Sequence, residues 1–335
     1  MKTKVSMEDI ARIHNVSKVT VSKALNDKPG VSDELREKIK ATAKKKGYRL
    51  NSAARSLKTK RAYNIGILIA ERFIKDPASY YFGVWGQLTT KLTALGYSAI
   101  METLIYENEK NLVLPMMYTE RKVDGLIILG QLKQQYLDIF ERFDIPVVYF
   151  DFYVKDSKID SVVIDNFYCG YQITNLLIKK GHSEIGFVGN IYSTSSIQDR
   201  FLGYYRSLLE HKISLNYDYI VSDRNEEGQL IELKLLDKMP TAFICNNDQV
   251  AYYFINMLKE HNIRVPEDCS IVAFDNTIFS TIATPAITTV DTHVEELVDV
   301  VSKVIIKKIT VPNKTYNRIL VKGSIIERNS VKTLN

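Results

Sequence analysis

Residues 5–26 constrain this chain more than any other stretch of its 335 residues. V-S-M-E-D-I-A-R-I-H-N-V-S-K-V-T-V-S-K-A-L-N reads as two short amphipathic helices joined by a tight turn. Ser6 is placed to cap the first, with Asp9 three residues on completing a capping-box-like pair. Ile10, Ala11 and Ile13 give that helix an apolar stripe, and His14, Asn15 and Val16 make the turn. Ser17 is a natural N-cap for the second helix. There Val21, Ala24 and Leu25 fall at i, i+3 and i+4, a face that packs inward. Lys18, Val19, Ser22 and Lys23 fall on the opposite face, which carries cations and small side chains. A helix entering a DNA major groove needs such a face, because phosphate contacts supply affinity and base edges supply specificity. Lys18, Val19, Thr20, Ser22, Lys23 and Asn26 are therefore candidate DNA contacts. An ordinary surface pair of helices is the competing reading, and the flanking sequence decides against it.

Ser32 is placed to cap a third helix with Leu35, Ile39 and Ala43 on one stripe, and Gly47 ends it. Three such helices close a small core of helix-turn-helix size. Residues 51–58 have helical composition, Asn51 as candidate cap, and one large apolar side chain, Leu57, between Arg55 and Lys58. A segment of about eight residues does not hold a helix alone in water. It reads as a hinge that folds only when DNA and a partner subunit support it, with Asn51, Ala54, Arg55, Leu57 and Lys58 as candidate contacts. Charge agrees. Met1–Arg61 holds 17 Lys and Arg against 6 Asp and Glu, a net of +11, whereas the remainder holds 28 against 33, a net of −5. One end is a polyanion binder and the other an ordinary folded domain.

From residue 62 on, short apolar runs alternate with helical patterns. Runs 65–70, 98–101, 125–129, 147–150 and 162–164 read as buried parallel strands, with helices over 81–95 and 135–143 between them. The cycle repeats with helix 168–179, strand 185–188, helix 197–210, strand 242–245, helix 249–260 and strand 270–274. Two βαβ lobes without a long linker predict a ligand cleft at the carboxyl ends of their strands. Asp151, the pair Asn247-Asp248, and Asp275 stand at such ends, and Arg200 lies near the start of its helix. Carboxylates accept paired hydrogen bonds from adjacent hydroxyls, and a guanidinium donates them to the hydroxyl oxygens. Tyr80, Tyr81 and Phe82 offer flat apolar faces, and Tyr153, Tyr192 and Phe279 are further candidates for the wall. Asp165 and Asn166 read as caps of the following helix, and His182 as part of a surface turn.

Several classes are excluded. No G-x-G-x-x-G follows a strand and no P-loop, G-x-S-x-G or H-E-x-x-H occurs, so neither an enzyme nor a cofactor is expected. No apolar run approaches the ~20 residues of a membrane span. The N-terminus lacks a signal-peptide apolar stretch, which predicts a cytoplasmic protein. Cys169, Cys245 and Cys269 are far apart in apolar runs, as expected of buried reduced thiols.

The segments V-S-M-E-D-I-A, N-V-S-K-V-T-V-S-K-A-L-N, G-V-S-D-E-L-R-E-K-I and A-A-R-S-L-K resemble the headpiece of the LacI/GalR family of bacterial transcription regulators. The resemblance continues in order through Y-N-I-G-I-L-I-A, V-D-G-L-I-I-L-G, K-K-G-H-S-E-I-G-F-V-G, D-R-F-L-G-Y, P-T-A-F-I-C-N-N-D and R-V-P-E-D-C-S-I-V-A-F-D-N, over essentially the whole chain. It implies an all-α helix-turn-helix headpiece plus an α/β bilobed periplasmic-binding-protein-like domain with two parallel-sheet lobes. The implied division is 1–49 for the DNA-binding domain, 50–61 for hinge and linker, and 62–335 for effector binding and dimerisation. Within the last, the N-lobe takes about 62–162 and 292–320 and the C-lobe about 163–291 and 321–335. The chain would cross between lobes near Val163, Val290 and Leu320. Arg200, Asn247 and Asp275 fall on the family's effector-holding positions, and Ser196, Asp151, Tyr81 and Phe82 are added to them. The implied partners are a double-stranded inverted-repeat operator, a second copy of the chain and a small effector. A sugar is the leading choice, with a purine or nucleoside as the alternative. A sugar-binding protein without a transcriptional role would need an export signal and have no use for the basic helices. Two departures stand out. Leu50 replaces the usual hinge proline, and Lys18-Val19 replace a first pair that is often Tyr-Gln or Thr-Thr, so the operator should differ from familiar ones.

Overall fold

A computed structural model describes residues 5–48 and 59–334 of the chain, which divides into two compact units, Met1–Arg61 and Ala62–Asn335. The hinge residues Leu50, Asn51, Ala54, Arg55, Leu57 and Lys58 lie outside the described residues.

In the first unit, α1 (Met7–Ile13), α2 (Lys18–Leu25) and α3 (Asp33–Lys45) are each started by a serine. Asp9 N donates to Ser6 Oγ at 3.2 Å while Ser6 N donates to the Asp9 carboxylate at 2.9 Å, so two orphan donors are satisfied reciprocally. Thr20 N donates to Ser17 Oγ at 3.0 Å and Leu35 N to Ser32 Oγ at 3.4 Å. Ile10, Ala11, Val21, Ala24, Ile39 and Ala43 form the core, with Leu25 and Leu35 packed against it. Ile13 departs from the expected stripe and is 53% exposed. The chain turns at Asn15, whose φ is +48°, and Val16 packs against the core instead.

The second unit contains, among the described residues, two six-stranded sheets. The first has the order β11-β5-β4-β3-β1-β2 and all its pairings are parallel. Its strands are β1 (Asn64–Ala70), β2 (Ser98–Leu104), β3 (Gly125–Leu129), β4 (Val147–Phe150), β5 (Asp160–Ile164) and β11 (Arg318–Val321). The second has the order β12-β10-β9-β8-β6-β7, from β6 (Ile185–Val188), β7 (Ile220–Val221), β8 (Ala242–Cys245), β9 (Ser270–Phe274), β10 (Thr288–Asp291) and β12 (Ser324–Ile326). Ile65, Ile67 and Ile69 turn to one face of the first sheet against α4 (Tyr80–Ala94), while Leu68 and Ala70 turn to the other against α7 (Gln134–Phe140). The short helices α5 (Tyr106–Lys110) and α6 (Met116–Thr119) lie between β2 and β3 in sequence. The second sheet is covered by α8 (Asn166–Lys179) and α9 (Ser195–Glu210) on one face and α10 (Asp248–Glu260) on the other. Burial on both faces explains the uninterrupted apolar strands.

The chain passes between lobes at Asp165, again at Thr292-His293 after the short α11 (Ile278–Ile282) and β10, and a third time at Lys322-Gly323. After the second passage, α12 (Val294–Thr310) packs on the first sheet. The sheets are not wholly parallel, because β12 pairs antiparallel with β10. β11 ends at the cleft, and two residues carry the chain straight across. β12 therefore starts at the cleft, where β10 ends; a parallel addition would need a long crossover. His182 is buried, not part of a surface turn, because the C-terminal segment lies over it. Lys332 O lies 3.1 Å from its Nε2 and Thr241 Oγ1 2.9 Å from its Nδ1, and burial lowers the ring's pKa.

Candidate functional site

On the headpiece, α2 turns Val21 and Ala24 inward, which leaves Lys18 exposed and Val19 65% exposed, with Ser22 and Lys23 half-buried beside them. Headpiece ion pairs join Arg36, Lys38 and Lys40 to Asp27, Asp33, Glu34 and Glu37, so Lys18 and Lys23 stand outside this network. Thr20 and Asn26 are engaged within the helix. The Thr20 hydroxyl lies 2.9 Å from Ser17 Oγ, and the Asn26 carboxamide donates to Ser22 O at 2.7 Å. The surface offered outward is thus a pair of cations around an exposed isopropyl group. It suits phosphate oxygens and the methyl and acceptor groups of a major-groove edge.

The second site is a cavity of about 130 Å³ at the carboxyl ends of the strands of both sheets. Tyr81, Asp151, Ser196, Arg200, Asn247 and Asp275, singled out above, all line it. Arg200 is its centre. Its Nε donates to Asn166 Oδ1 at 2.7 Å, Nη1 to Asn246 O at 2.5 Å and Nη2 to Asp275 Oδ1 at 3.0 Å, with its carbon 4.5 Å from the Phe274 ring centroid. Burial opposes the guanidinium charge, but Asp275 and Asp151 more than restore it, so its pKa is raised. Asp275 is itself raised by burial against the opposing pull of Arg200. Asp151 rises to about 6, because burial and the nearby Asp275 outweigh Arg200 and the Tyr81 hydroxyl, which donates to it at 2.8 Å. Asp151 and Asp275 have φ of +71° and +100°, a strained backbone of the kind retained where a side chain must be aimed. Behind them Asp248, raised to about 7 chiefly by burial, accepts from Thr277 N and from Thr289 Oγ1, both at 2.6 Å.

Other expectations are corrected. Phe82 does not line the cavity; Tyr80 takes that place, because successive helical residues point about 100° apart. Asn247 caps α10, accepting from Val250 N at 2.8 Å, which commits one lone pair of its carboxamide oxygen and leaves the nitrogen as a donor for a ligand. Tyr192 is 87% exposed, and Phe279 is buried against Tyr252 and Tyr253. Tyr153 is not a wall but a bridge, donating from its hydroxyl to Asp199 at 2.9 Å and from its backbone to Ser195 Oγ at 3.2 Å. Asp165 does cap α8, accepting from Tyr168 N, whereas Asn166 is buried and holds Arg200. Further bonds join the lobes: Ser195 N donates to Gln131 Oε1 at 2.8 Å and Gln249 Nε2 to Asp76 at 2.6 Å.

Arg72, Gln131, Arg224, Asn246 and Gln249 also line the cavity and were not anticipated. Most of them follow the end of a strand by one to three residues, the same rule that picked out Asp151 and Asp275.

Residues 6–51 match the bacterial regulatory proteins of the lacI family, and residues 174–331 match a periplasmic binding protein-like domain. The HTH-type transcriptional regulator RegA of Clostridium saccharobutylicum is 30% identical over 97% of this chain and 98% of its own length. The ribose operon repressor of Haemophilus influenzae is 27% identical over 98% and 99%. The solved lac repressor dimer bound to operator and the anti-inducer ONPF is similar in fold, with a TM-score of 0.75 at 21% identity over 98% of this chain and 100% of that one. With its headpiece, its bilobed domain and a relative of this identity along nearly its full length, the chain belongs to the lacI family of bacterial regulatory proteins.

Proposed function

We propose that this regulator is a repressor that binds an inverted-repeat operator as a two-fold dimer and is controlled by a single-ring sugar held in the cleft. The observation that carries the DNA half is the outward face of α2, with Lys18 and Val19 presented while the opposite face closes the core. Lys18 and Val19 reach base edges, and Lys23 meets guanine or phosphate. Exchanging both Lys18 and Val19 is expected to change operator preference by about 1–3 kcal/mol per misread base pair. Binding measured across a set of operator variants checks this; a uniform loss without changed preference would show that this face does not read sequence.

In the cleft, Arg200 and Asp275 grip adjacent hydroxyls, Asp151 accepts from another, and Ser196, Tyr81 and the carboxamide of Asn247 complete the ring of partners. The cavity is smaller than the ~300–1,000 Å³ of pockets for drug-sized ligands, which favours one sugar ring. The acids and guanidinium groups that face the ligand act in this reading as hydrogen-bond partners for its hydroxyls. The name of the ribose operon repressor supports a sugar. Because a hydroxyl donates to an ionised Asp151, effector affinity is expected to fall as the pH drops through about 6, approaching tenfold per unit below it. Calorimetry between pH 5 and 8 would measure this. Asp151→Asn should flatten the profile, and an unchanged slope in that variant would remove Asp151 from the site.

A further inference from the structure

Two more arginines face the cavity, one from each lobe. Arg72 follows β1, and Arg224 follows β7 in a small hairpin closed by a bridge from Arg224 to Leu230. Both are fixed from behind by carboxylates that do not line the cavity. Arg72 donates to Glu109 from Nη1 at 2.5 Å and from Nη2 at 3.3 Å, with Nη2 also reaching Gln131 O at 2.9 Å. Arg224 donates to Asp223 from Nε at 3.0 Å and from Nη2 at 2.7 Å. The Glu109 and Asp223 side chains are fully enclosed, at 0% exposure, against 12% and 10% for the two arginines. Backbone and side-chain donors hold the carboxylates in place as well: Lys133 N donates to Glu109, and both Asn190 N and Asn246 Nδ2 donate to Asp223.

Each pair is therefore a dipole with its positive end toward the cavity. Among the described residues, no hydrogen bond is formed by Arg72 Nε or Arg224 Nη1. The Phe73 ring lies 4.8 Å from the Arg72 guanidinium carbon, covering its face and leaving N–H groups in its plane. The two sides approach closely: a Cβ on Gly228 of the second-lobe hairpin would stand 3.3 Å from Arg72 Nε. Charges lining the cavity are three guanidinium groups against the carboxylates of Asp151 and Asp275. Planar guanidinium forks match the oxygens of a carboxylate or phosphate, and burial strengthens that match.

We propose that Arg72 and Arg224 form an anion subsite shared by the two lobes, so that the effector is a single-ring sugar bearing a carboxylate or a phosphate. This rests on the sugar reading above and adds the charge that the sugar carries. The anionic group ties the lobes together at one end of the cavity, while Asp151, Arg200 and Asp275 take the hydroxyls.

Calorimetry on the full-length protein with matched probes tests the proposal: glucose, glucuronate and glucose 6-phosphate; galactose and galacturonate; ribose and ribose 5-phosphate. At least one charged sugar is expected to bind tenfold or more tighter than its neutral parent, and its affinity should fall as salt rises. Which charged member wins separates a uronate from a phosphate. In the paired variant Asp223→Asn/Arg224→Gln, which removes the cation without leaving a bare buried carboxylate, the charged sugar should lose its advantage. If that variant folds poorly, the paired variant Glu109→Gln/Arg72→Gln makes the same test from the other lobe. A neutral parent binding as tightly as its charged forms overturns the anion subsite and leaves the sugar reading standing. A thermal shift given only by purines or nucleosides overturns both.

Discussion

Alanine at position 203 is expected to destabilise the second lobe by about 2 kcal/mol, although alanine is the better helix former. A Cβ there would lie 2.0 Å from Phe167 O and 2.6 Å from Tyr171 N, both backbone atoms of α8, which no rotamer change relieves. Gly170 is the reciprocal contact, where a Cβ would lie 2.3 Å from Arg200 O. Overpacking a tight interior typically costs ~1–3 kcal/mol, and a contact against backbone belongs at the top of that range. The better helix propensity of alanine returns roughly 1 kcal/mol. Packing wins. Pushing α9 from α8 would also stretch the Arg200–Asn166 bond, which spans the same two helices. Urea unfolding of Gly203→Ala followed by circular dichroism measures the loss. A gain in stability would mean that the helices have room to part.

Arg200→Ala should cost more. Its guanidinium is 5% exposed, is bonded to Asn166, Asn246 and Asp275, and covers the Phe274 ring. Removing one partner of a buried pair typically costs ~3–5 kcal/mol, because the other charge is left uncompensated. Effector affinity should drop by roughly 2 kcal/mol or more. The sign with pH follows from Asp275, whose folded pKa is already raised and rises further without Arg200. A carboxyl with a raised folded pKa is least costly where it is protonated, below its ordinary value, and its penalty grows as pH climbs through the folded pKa. The deficit of Arg200→Ala therefore narrows on acidification, and adding Asp275→Asn should recover part of it at neutral pH. Thermal unfolding of the single and double variants between pH 5 and 8 measures both effects. No recovery in the double variant would show that Asp275 does not depend on Arg200.

Much of this architecture was legible locally. The serines that start α1, α2 and α3 are identifiable because a cap acts on an amide two or three positions away. β3, β4, β6, β8 and β9 begin and end where their apolar runs do, since a strand buried on both faces shows its limits as a change of polarity. What stayed hidden depends on partners remote in sequence. Glu109 is 37 residues from Arg72, and Lys332 is 150 from His182, so neither the aimed guanidinium nor the buried imidazole has a local signature. Asn166 looked like a cap because it sits at a helix start; only the packing of α9 against α8 turns it toward Arg200. Tyr80 and Phe82 were indistinguishable by composition, and the phase of the helix decided between them.

The three passages between lobes leave from neighbouring strands at one margin of each sheet, β5 and β11 on one side and β10 and β12 on the other. A relative motion of the lobes is thus a rotation about that margin, like a book opening at its spine. Ala62 enters the first sheet through β1, three strands in from β5. At ~4.8 Å per strand the arm is roughly 14 Å, so each degree of opening carries β1 about a quarter of an ångström. β1, where the second unit begins, therefore travels with any change in cleft angle, whereas β5 and β11 stay at the spine.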